Sequence, residues 1–359
     1  MNGRKVYEKI SAAGYDCALF LDETSQHYLS DFYTTDDIVI VSREETALFA
    51  DSRYFEAADS LKKAGKLSAD VHPMLLKGNF YAVIADYFYS HGAKRVCVDP
   101  ALVSVLQLQT LQSRCDGVEF GFMEDIVLEF RRVKTEAEIE NIRAAQRITE
   151  LTFEHICGFI NGDRTEAEVA AEMEYFMRRS GASGLAFDTI AVSGKKSSLP
   201  HGVPGDERLT KDSFFTMDFG AKYNGYCSDM TRTVVVGKAS DEMKHVYNTV
   251  LEAQSEAMKY IRAGVSGRDA DGIARKIIAD AGYGEYFGHS LGHSLGLEIH
   301  ENPRVSPASD DILVPGNIVT VEPGIYIPGK FGVRIENMVL VTENGCENLT
   351  ASPRGLIEL

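Results

Sequence analysis

Two acidic side chains in the stretch 214–236, FFTMDFGAKYNGYCSDMTRTVVV, are the first residues whose spacing bears on chemistry. Asn224-Gly225 is the preferred centre of a two-residue hairpin turn, because both turn positions need positive φ. Strands pairing around it set Tyr223 opposite Tyr226 and Gly220 opposite Asp229. Asp218 then lies two residues from the partner of Asp229 and on the same face. Two carboxylates side by side among Phe214, Phe215, Met217 and Phe219 repel each other and desolvate badly unless a cation or a proton sits between them. The other reading of this hairpin alone is a solvated edge with unrelated acids.

A second candidate hairpin, 318–341, carries Glu322 before Pro323-Gly324 and Glu336 before Asn337. Parity decides whether the two glutamates meet. With a three-residue loop, 329–331, Gly324 opposes Glu336 and both glutamates share a face, whereas a two-residue loop sends them to opposite faces. Between the hairpins lies FGHSLGHSLGLEIHENP, in which His289, His293 and His300 fall within twelve residues of a chain that has nine histidines in all. Its glycines Gly288, Gly292 and Gly296 argue for loop and strand rather than helix. Asp218, Asp229, Glu322, Glu336 and one histidine make an oxygen-rich ligand set with one nitrogen, suited to a pair of Mn, Co, Fe or Zn ions more than to a closed structural zinc. Hydrolysis is the natural chemistry of such a pair.

The elements that must hold these residues follow from pattern. In the first third, β-rich runs at 17–21, 37–41, 46–50, 95–98 and 118–122 alternate with helical patterns at 54–63, 81–90 and 101–113, which predicts a small α/β domain. Thr135 can cap a long helix with Glu138 answering from its third position. Helices are then expected at 166–179, 241–262 and 267–281, a helix-pair rhythm that suggests two related halves. At about 150 residues per domain, 359 residues predict two domains, placed here at 1–125 and 126–359.

Composition excludes several partners. The 37 Lys and Arg against 53 Asp and Glu leave a net charge of −16, which repels a phosphate backbone, so no nucleic acid is expected. No apolar run reaches the roughly 18 residues of a spanning helix, and the start MNGRKVYEKISAAGYD lacks a secretory apolar block. The expectation is a cytoplasmic chain without a membrane partner, its six scattered cysteines reduced.

With these residues in hand the sequence resembles the metallopeptidase family of aminopeptidase P, prolidase and methionine aminopeptidase, whose catalytic domain has the pita-bread fold shared with creatinase. Six segments appear in family order: VKTEAEIENIRAA from Val133, SGKKSSLPHG from Ser193, MDFGAKYNGYCSDMTRT from Met217, GHSLGLEIHENP from Gly292, VEPGIY from Val321 and VRIENM from Val333. The resemblance implies an α/β amino-terminal domain followed by an α+β pita-bread, creatinase/aminopeptidase-like catalytic domain. It implies that Asp218 chelates one ion, that Asp229 and Glu336 bridge two, and that His293 and Glu322 complete the other. The ions implied are Mn or Co first, Zn or Fe second.

The same resemblance places His201 and His300 beside substrate as non-ligand histidines, gives Glu322 a proton-transfer role, and puts His289 and Arg334 on the substrate side of the site. His289 reads equally as a buried hydrogen-bonded imidazole, and Arg334 as an outward strand charge or, as its family position suggests, a partner of the carboxylates. Tyr226 reads as core, and Arg304 as either a contact for a substrate carboxylate or a surface charge. YLSDF at Tyr28, DSRYFEAA at Asp51 and VEPGIYIPG resemble the Xaa-Pro enzymes rather than methionine aminopeptidase. Asp31 and Ser294 stand where the family commonly has glycine.

The implied function is hydrolysis of the bond between an amino-terminal residue and proline by a metal-bridging hydroxide, as an Xaa-Pro aminopeptidase or Xaa-Pro dipeptidase. Proline-containing peptides or dipeptides are the implied substrates, and a homodimer the implied assembly. The alternatives are a broader aminopeptidase, or a pita-bread protein that binds peptides or proteins without cutting them. The expected mark of that last class is missing ligands, and here all five positions are filled.

Overall fold

Short strands and amphipathic helices alternate through the first third of the chain, and the structure gathers them into a unit of their own. The computed structural model describes Asn2 to Leu359, and the chain divides into two units, Met1–Glu129 and Phe130–Leu359. The first unit holds β1 (Cys17–Phe20), β2 (Ile38–Val41), β3 (Thr46–Ala50), β4 (Val71–Leu75), β5 (Arg95–Val98) and β6 (Glu119–Phe122) in one mixed sheet of spatial order β4-β3-β2-β1-β5-β6. Its helices are α1 (Asn2–Ala12), α2 (Glu23–Ser30), α3 (Phe55–Lys63), α4 (Phe80–Ser90) and α5 (Val105–Arg114).

Helix α1, which the pattern does not predict, and three further elements of this unit depart from the sequence pattern. Strand β4 carries Pro73, which argues against a strand, yet β4 is an edge strand and a missing N–H costs no ladder bond on its open side. Helix α2 is short and polar, and is held by the Asp22 carboxylate accepting from Ser25 N–H at 2.8 Å. Helix α5 begins at Val105 instead of residue 101, because Ser104 and Gln107 close a reciprocal capping box there.

The short helix α6 (Leu128–Arg132) spans the boundary between units. The second unit then begins with α7 (Glu136–Phe159), which Thr135 and Glu138 cap in the expected way, and α8 (Glu166–Arg179). Strands β7 (Gly184–Leu185), β8 (Ile190–Ser193), β9 (Ser213–Phe219), β10 (Ala221–Tyr223), β11 (Tyr226–Cys227) and β12 (Met230–Val236) follow, then α9 (Asp241–Tyr260) and α10 (Gly267–Asp280). The chain closes with β13 (Gly292–Ser294), β14 (Glu301–Val305), β15 (Ile318–Val321), β16 (Gly324–Ile327), β17 (Phe331–Arg334), β18 (Asn337–Val341) and β19 (Cys346–Asn348). Each helix pair thus precedes one acid-bearing hairpin.

The first hairpin has the register its turn chemistry dictates. Tyr223 pairs with Tyr226, Lys222 with Cys227 and Asp218 with Thr231. Gly220, between β9 and β10, lies so close to the opposite strand that a Cβ there would stand 1.9 Å from the Ser228 carbonyl oxygen. Alternation then sorts the side chains. Phe215, Met217, Phe219, Met230 and Val234 enter a core with α7 and α8, which leaves Asp218 on the other face.

The second hairpin corrects the expected register. Its loop is odd, three residues long, but consists of 328–330: Ile327 pairs with Phe331 and Gly324 with Arg334, not with Glu336. The reason is a type II turn, with Pro328 and Gly329 at its centre, Gly329 at φ 70° and Lys330 N–H donating to Ile327 O at 3.0 Å. The proline belongs to the turn and cannot serve as a strand residue. Ile325, Val333 and Ile335 join the core under α9 and α10, so Tyr326, Arg334 and Glu336 turn to the opposite side.

All six cysteines are free, and four of them are buried. Burial pushes the thiols of Cys97, Cys115, Cys157 and Cys346 up to about 11 and that of Cys227 to about 12, and raises Cys17 further. Among the described residues no helix is long and apolar enough to cross a membrane.

Candidate active site

The two hairpins meet along β12. Glu336 N–H donates to Thr231 O at 3.1 Å, and Arg334 exchanges hydrogen bonds with the Thr233 hydroxyl, accepting at 3.0 Å through its carbonyl. This junction brings Glu336 beside the carboxylates of the first hairpin. Asp218, Asp229 and Glu336 each offer an oxygen, and these atoms all lie within 4.8 Å of one another. Glu322 follows β15, its backbone N–H donating to Leu291 O at 2.8 Å and its Oε1 accepting from the Thr320 hydroxyl at 3.1 Å.

Strand β13 supplies the nitrogen. His293 Nδ1 lies 3.1 Å from Ser294 O, and since a carbonyl only accepts, Nδ1 carries the proton. Its Nε2 therefore presents a lone pair, 3.4 Å from Glu322 Oε1 and 3.6 Å from Asp229 Oδ2. Burial, with the neighbouring His300 second, holds this imidazole at about 3, well below the usual histidine range, so these contacts are not ion pairs. The lone pair of an imidazole and the oxygens of two acids thus converge on one point.

The acids carry the same signature. Burial first, and then mutual repulsion, raises Asp229 and Glu336 well above the usual carboxylate range, and burial pushes Glu322 up to about 8 against the pull of Arg334. Asp218 Oδ1, Asp229 Oδ1 and Glu336 Oε1 are buried without a hydrogen-bond partner among the described residues. Such orphaned oxygens are costly unless a cation takes them, and a divalent ion pair fits this donor set.

Asp218, Asp229, His293 and Glu322 line a cleft of about 540 Å³ together with His201, His289, His300, Arg304 and Arg334. His201 and His300 are exposed on its walls, with the His300 ring edge-on to His293 at 4.4 Å between centroids. Arg334 is buried and donates to Asp218 Oδ2 at 2.5 Å, to the Thr231 hydroxyl at 2.9 Å, to the Tyr326 hydroxyl at 2.6 Å and to Pro200 O at 3.2 Å. Its position is that of a carboxylate partner that also reaches the cleft. His289 Nδ1 lies 2.8 Å from Ser290 O and is protonated there, so its Nε2 takes the Tyr326 hydroxyl hydrogen at 2.9 Å. Tyr226 is core, its hydroxyl donating to Glu138 Oε1 at 3.1 Å. Arg304 reaches the cleft from β14, opposite His293 in register.

Sequence reasoning missed Tyr326 and Thr231. Tyr326 links His289 to Arg334, and the Thr231 hydroxyl accepts from Arg334 and donates to Glu336 Oε2 at 2.7 Å. Strand parity could have found Tyr326, which shares a face with Arg334 in the observed register.

Comparison with known proteins decides the family. Residues 140–343 match the model of metallopeptidase family M24, and residues 4–133 that of the creatinase/prolidase N-terminal domain. The chain belongs to metallopeptidase family M24. It is 36% identical to an Xaa-Pro dipeptidase of Pyrococcus horikoshii, over 99% of this chain and 98% of the relative. Among solved structures it resembles an Xaa-Pro dipeptidase from Bacillus anthracis (TM-score 0.94, 40% identity, 100% of this chain and 99% of the other). An X-Pro aminopeptidase from Thermotoga maritima is similar at TM-score 0.92 and 38% identity, over 99% of each chain. This M24 enzyme therefore has the pita-bread catalytic domain behind a creatinase-type amino-terminal domain, and as a metallopeptidase it uses divalent metal ions.

Proposed function

We propose that this M24 enzyme cleaves the bond between an amino-terminal residue and proline, and that Xaa-Pro dipeptides are its preferred substrates. The observation that carries the reading is the bare His293 Nε2 lone pair converging with the Asp229 and Glu322 oxygens in an open cleft. The names of its relatives support the substrate class. Asp218 would hold one ion, His293 and Glu322 the other, and Asp229 and Glu336 both. The oxygen-rich set favours manganese or cobalt over zinc or iron. When bound, such a pair polarises a carbonyl and lowers the pKa of water.

The remaining work falls to side chains of the cleft. Arg334 orients Asp218 through its 2.5 Å contact. His201 and His300 donate to the oxygen on which negative charge develops, and Glu322 passes a proton to the leaving proline nitrogen. His289, fixed by Ser290 and Tyr326, steadies Arg334 from the substrate side. Proline offers no N–H once acylated, so the pocket that takes its ring needs apolar wall in place of an acceptor, and Phe187, Ile190 and Ile299 supply such wall. Arg304 is exposed on that cleft and suits the free carboxylate of a dipeptide.

The test is a length series, Ala-Pro, Ala-Pro-Ala and longer, together with Met-Ala, assayed with manganese, cobalt and zinc. Ala-Pro should be the best substrate, with manganese or cobalt the best ion. Faster cleavage of the longer peptides would make the enzyme an aminopeptidase, and equal cleavage of Met-Ala would overturn the proline reading. A cytoplasmic homodimer completes the proposal. Reduced thiols support the compartment, and exposed Val105 and Leu106 offer apolar contact surface, with sedimentation velocity as the check.

A further inference from the structure

Behind the cleft lies a second charged cluster that the peptidase reading leaves unused. Lys134, Arg131 and Glu301 have side chains only 1%, 5% and 2% exposed. Arg131 Nη2 donates to Glu301 Oε1 at 2.5 Å and to Glu298 Oε2 at 2.8 Å, and Lys134 Nζ donates to Glu301 Oε2 at 3.2 Å and to the Ser294 hydroxyl at 3.0 Å. Glu298 N–H also donates to Glu301 Oε1, at 3.2 Å. Gly296 leaves the space for this carboxylate, since a Cβ there would stand 2.7 Å from Glu301 Oε1.

These contacts sit at the two ends of one loop. Ser294 follows His293, and its carbonyl takes the His293 Nδ1 hydrogen that leaves Nε2 bare. Glu301 follows His300. Lys134 therefore grips both ends of the segment that carries the two histidines, and does so from outside the cleft. Burying such ions is expensive, and apolar residues of the same volume would stabilise the fold at least as well. What apolar packing would not supply is a fixed direction for the Ser294 carbonyl and for the His300 backbone.

We propose that Lys134, acting through Ser294 and Glu301, is a positioning residue that sets the orientation of His293 and His300. The inference rests on the peptidase reading above. Ser294, where the family commonly has glycine, gives the lysine an acceptor that glycine lacks.

Lys134→Met in the manganese-loaded chain tests it, with kcat and KM on Ala-Pro, manganese affinity of the metal-stripped protein by calorimetry, and Tm. Glu301 keeps Arg131 as a partner in this variant, so folding is expected. A weakening of about 10- to 100-fold in manganese affinity or kcat, with KM changed by less than about threefold, is the expected result. A lower Tm with kcat and manganese affinity both unchanged overturns the proposal and leaves the cluster a structural one. Should Lys134→Met not fold, Ser294→Ala, which removes only the acceptor oxygen, decides in its place. Weaker manganese binding supports the proposal, and wild-type binding overturns it. Inactivity of the unmodified enzyme on Ala-Pro would instead refute the substrate reading, and calorimetry with manganese alone would still judge the role of Lys134.

Discussion

Arg334 donates to Asp218 Oδ2 at 2.5 Å, while its Nε donates to the Thr231 hydroxyl that in turn donates to Glu336. One guanidinium thus ties an acid of the first hairpin to an acid of the second, using the fixed fork that lysine does not possess.

Arg334→Lys keeps the charge and loses the fork. We expect kcat to fall by about 10- to 100-fold, as for other groups that orient metal-site carboxylates. Wild-type turnover in this variant would show that the fork is dispensable.

Asp229→Asn and Glu336→Gln should abolish turnover more completely than Arg304→Ala, because on the proposed assignment each carboxylate would neutralise two ions while Arg304 would contact substrate alone. The measurement is kcat beside metal content. Near-normal activity in either carboxamide variant would end the two-ion assignment.

His201→Ala and His300→Ala should each lower kcat by roughly 10² to 10³, the range for removing one oxyanion donor, with bound metal retained. Metal loss would reveal a ligand. An unchanged kcat with an earlier melt would leave the rings a packing role alone.

The metal-free protein should lose stability as pH rises from about 6.5 to 8. Glu322 titrates in the folded chain at about 8, and Asp229 and Glu336 are raised well above their usual range, so the fold keeps protons that the unfolded chain has already released. His293, at about 3, and His289, at about 4, act in the opposite sense, adding stability as pH climbs through the unfolded histidine value of about 6.5 and levelling off about one unit above it. Above that point the carboxyls dominate the slope, about 1.4 kcal/mol per pH unit for each proton still held. Melting curves from pH 6.5 to 8, with and without manganese, check this: the metal should stabilise most at pH 8, and a flat metal-free Tm would contradict it.

The first hairpin was legible because Asn224-Gly225 fixes its register locally, and Asp218 and Asp229 follow by counting. The second was legible only in parity. Pro328-Gly329 forms its own type II turn, so the loop lies one residue earlier than the reading that kept Pro328 in the strand. Strand β4 was hidden by Pro73, whose tolerance depends on the sheet edge and so on topology. The bonds of Thr231 to Arg334 and of Lys134 to Ser294 join residues more than a hundred positions apart. No local pattern records such contacts, because they arise only where separate hairpins and helices dock.

Thiolate, not thiol, reacts with alkylating reagents, and burial holds all six native thiols far above neutral pH. The chain is therefore close to silent towards maleimides without removal of any cysteine. One cysteine introduced at an exposed position, as in Tyr175→Cys, would therefore accept a single fluorophore at a known site.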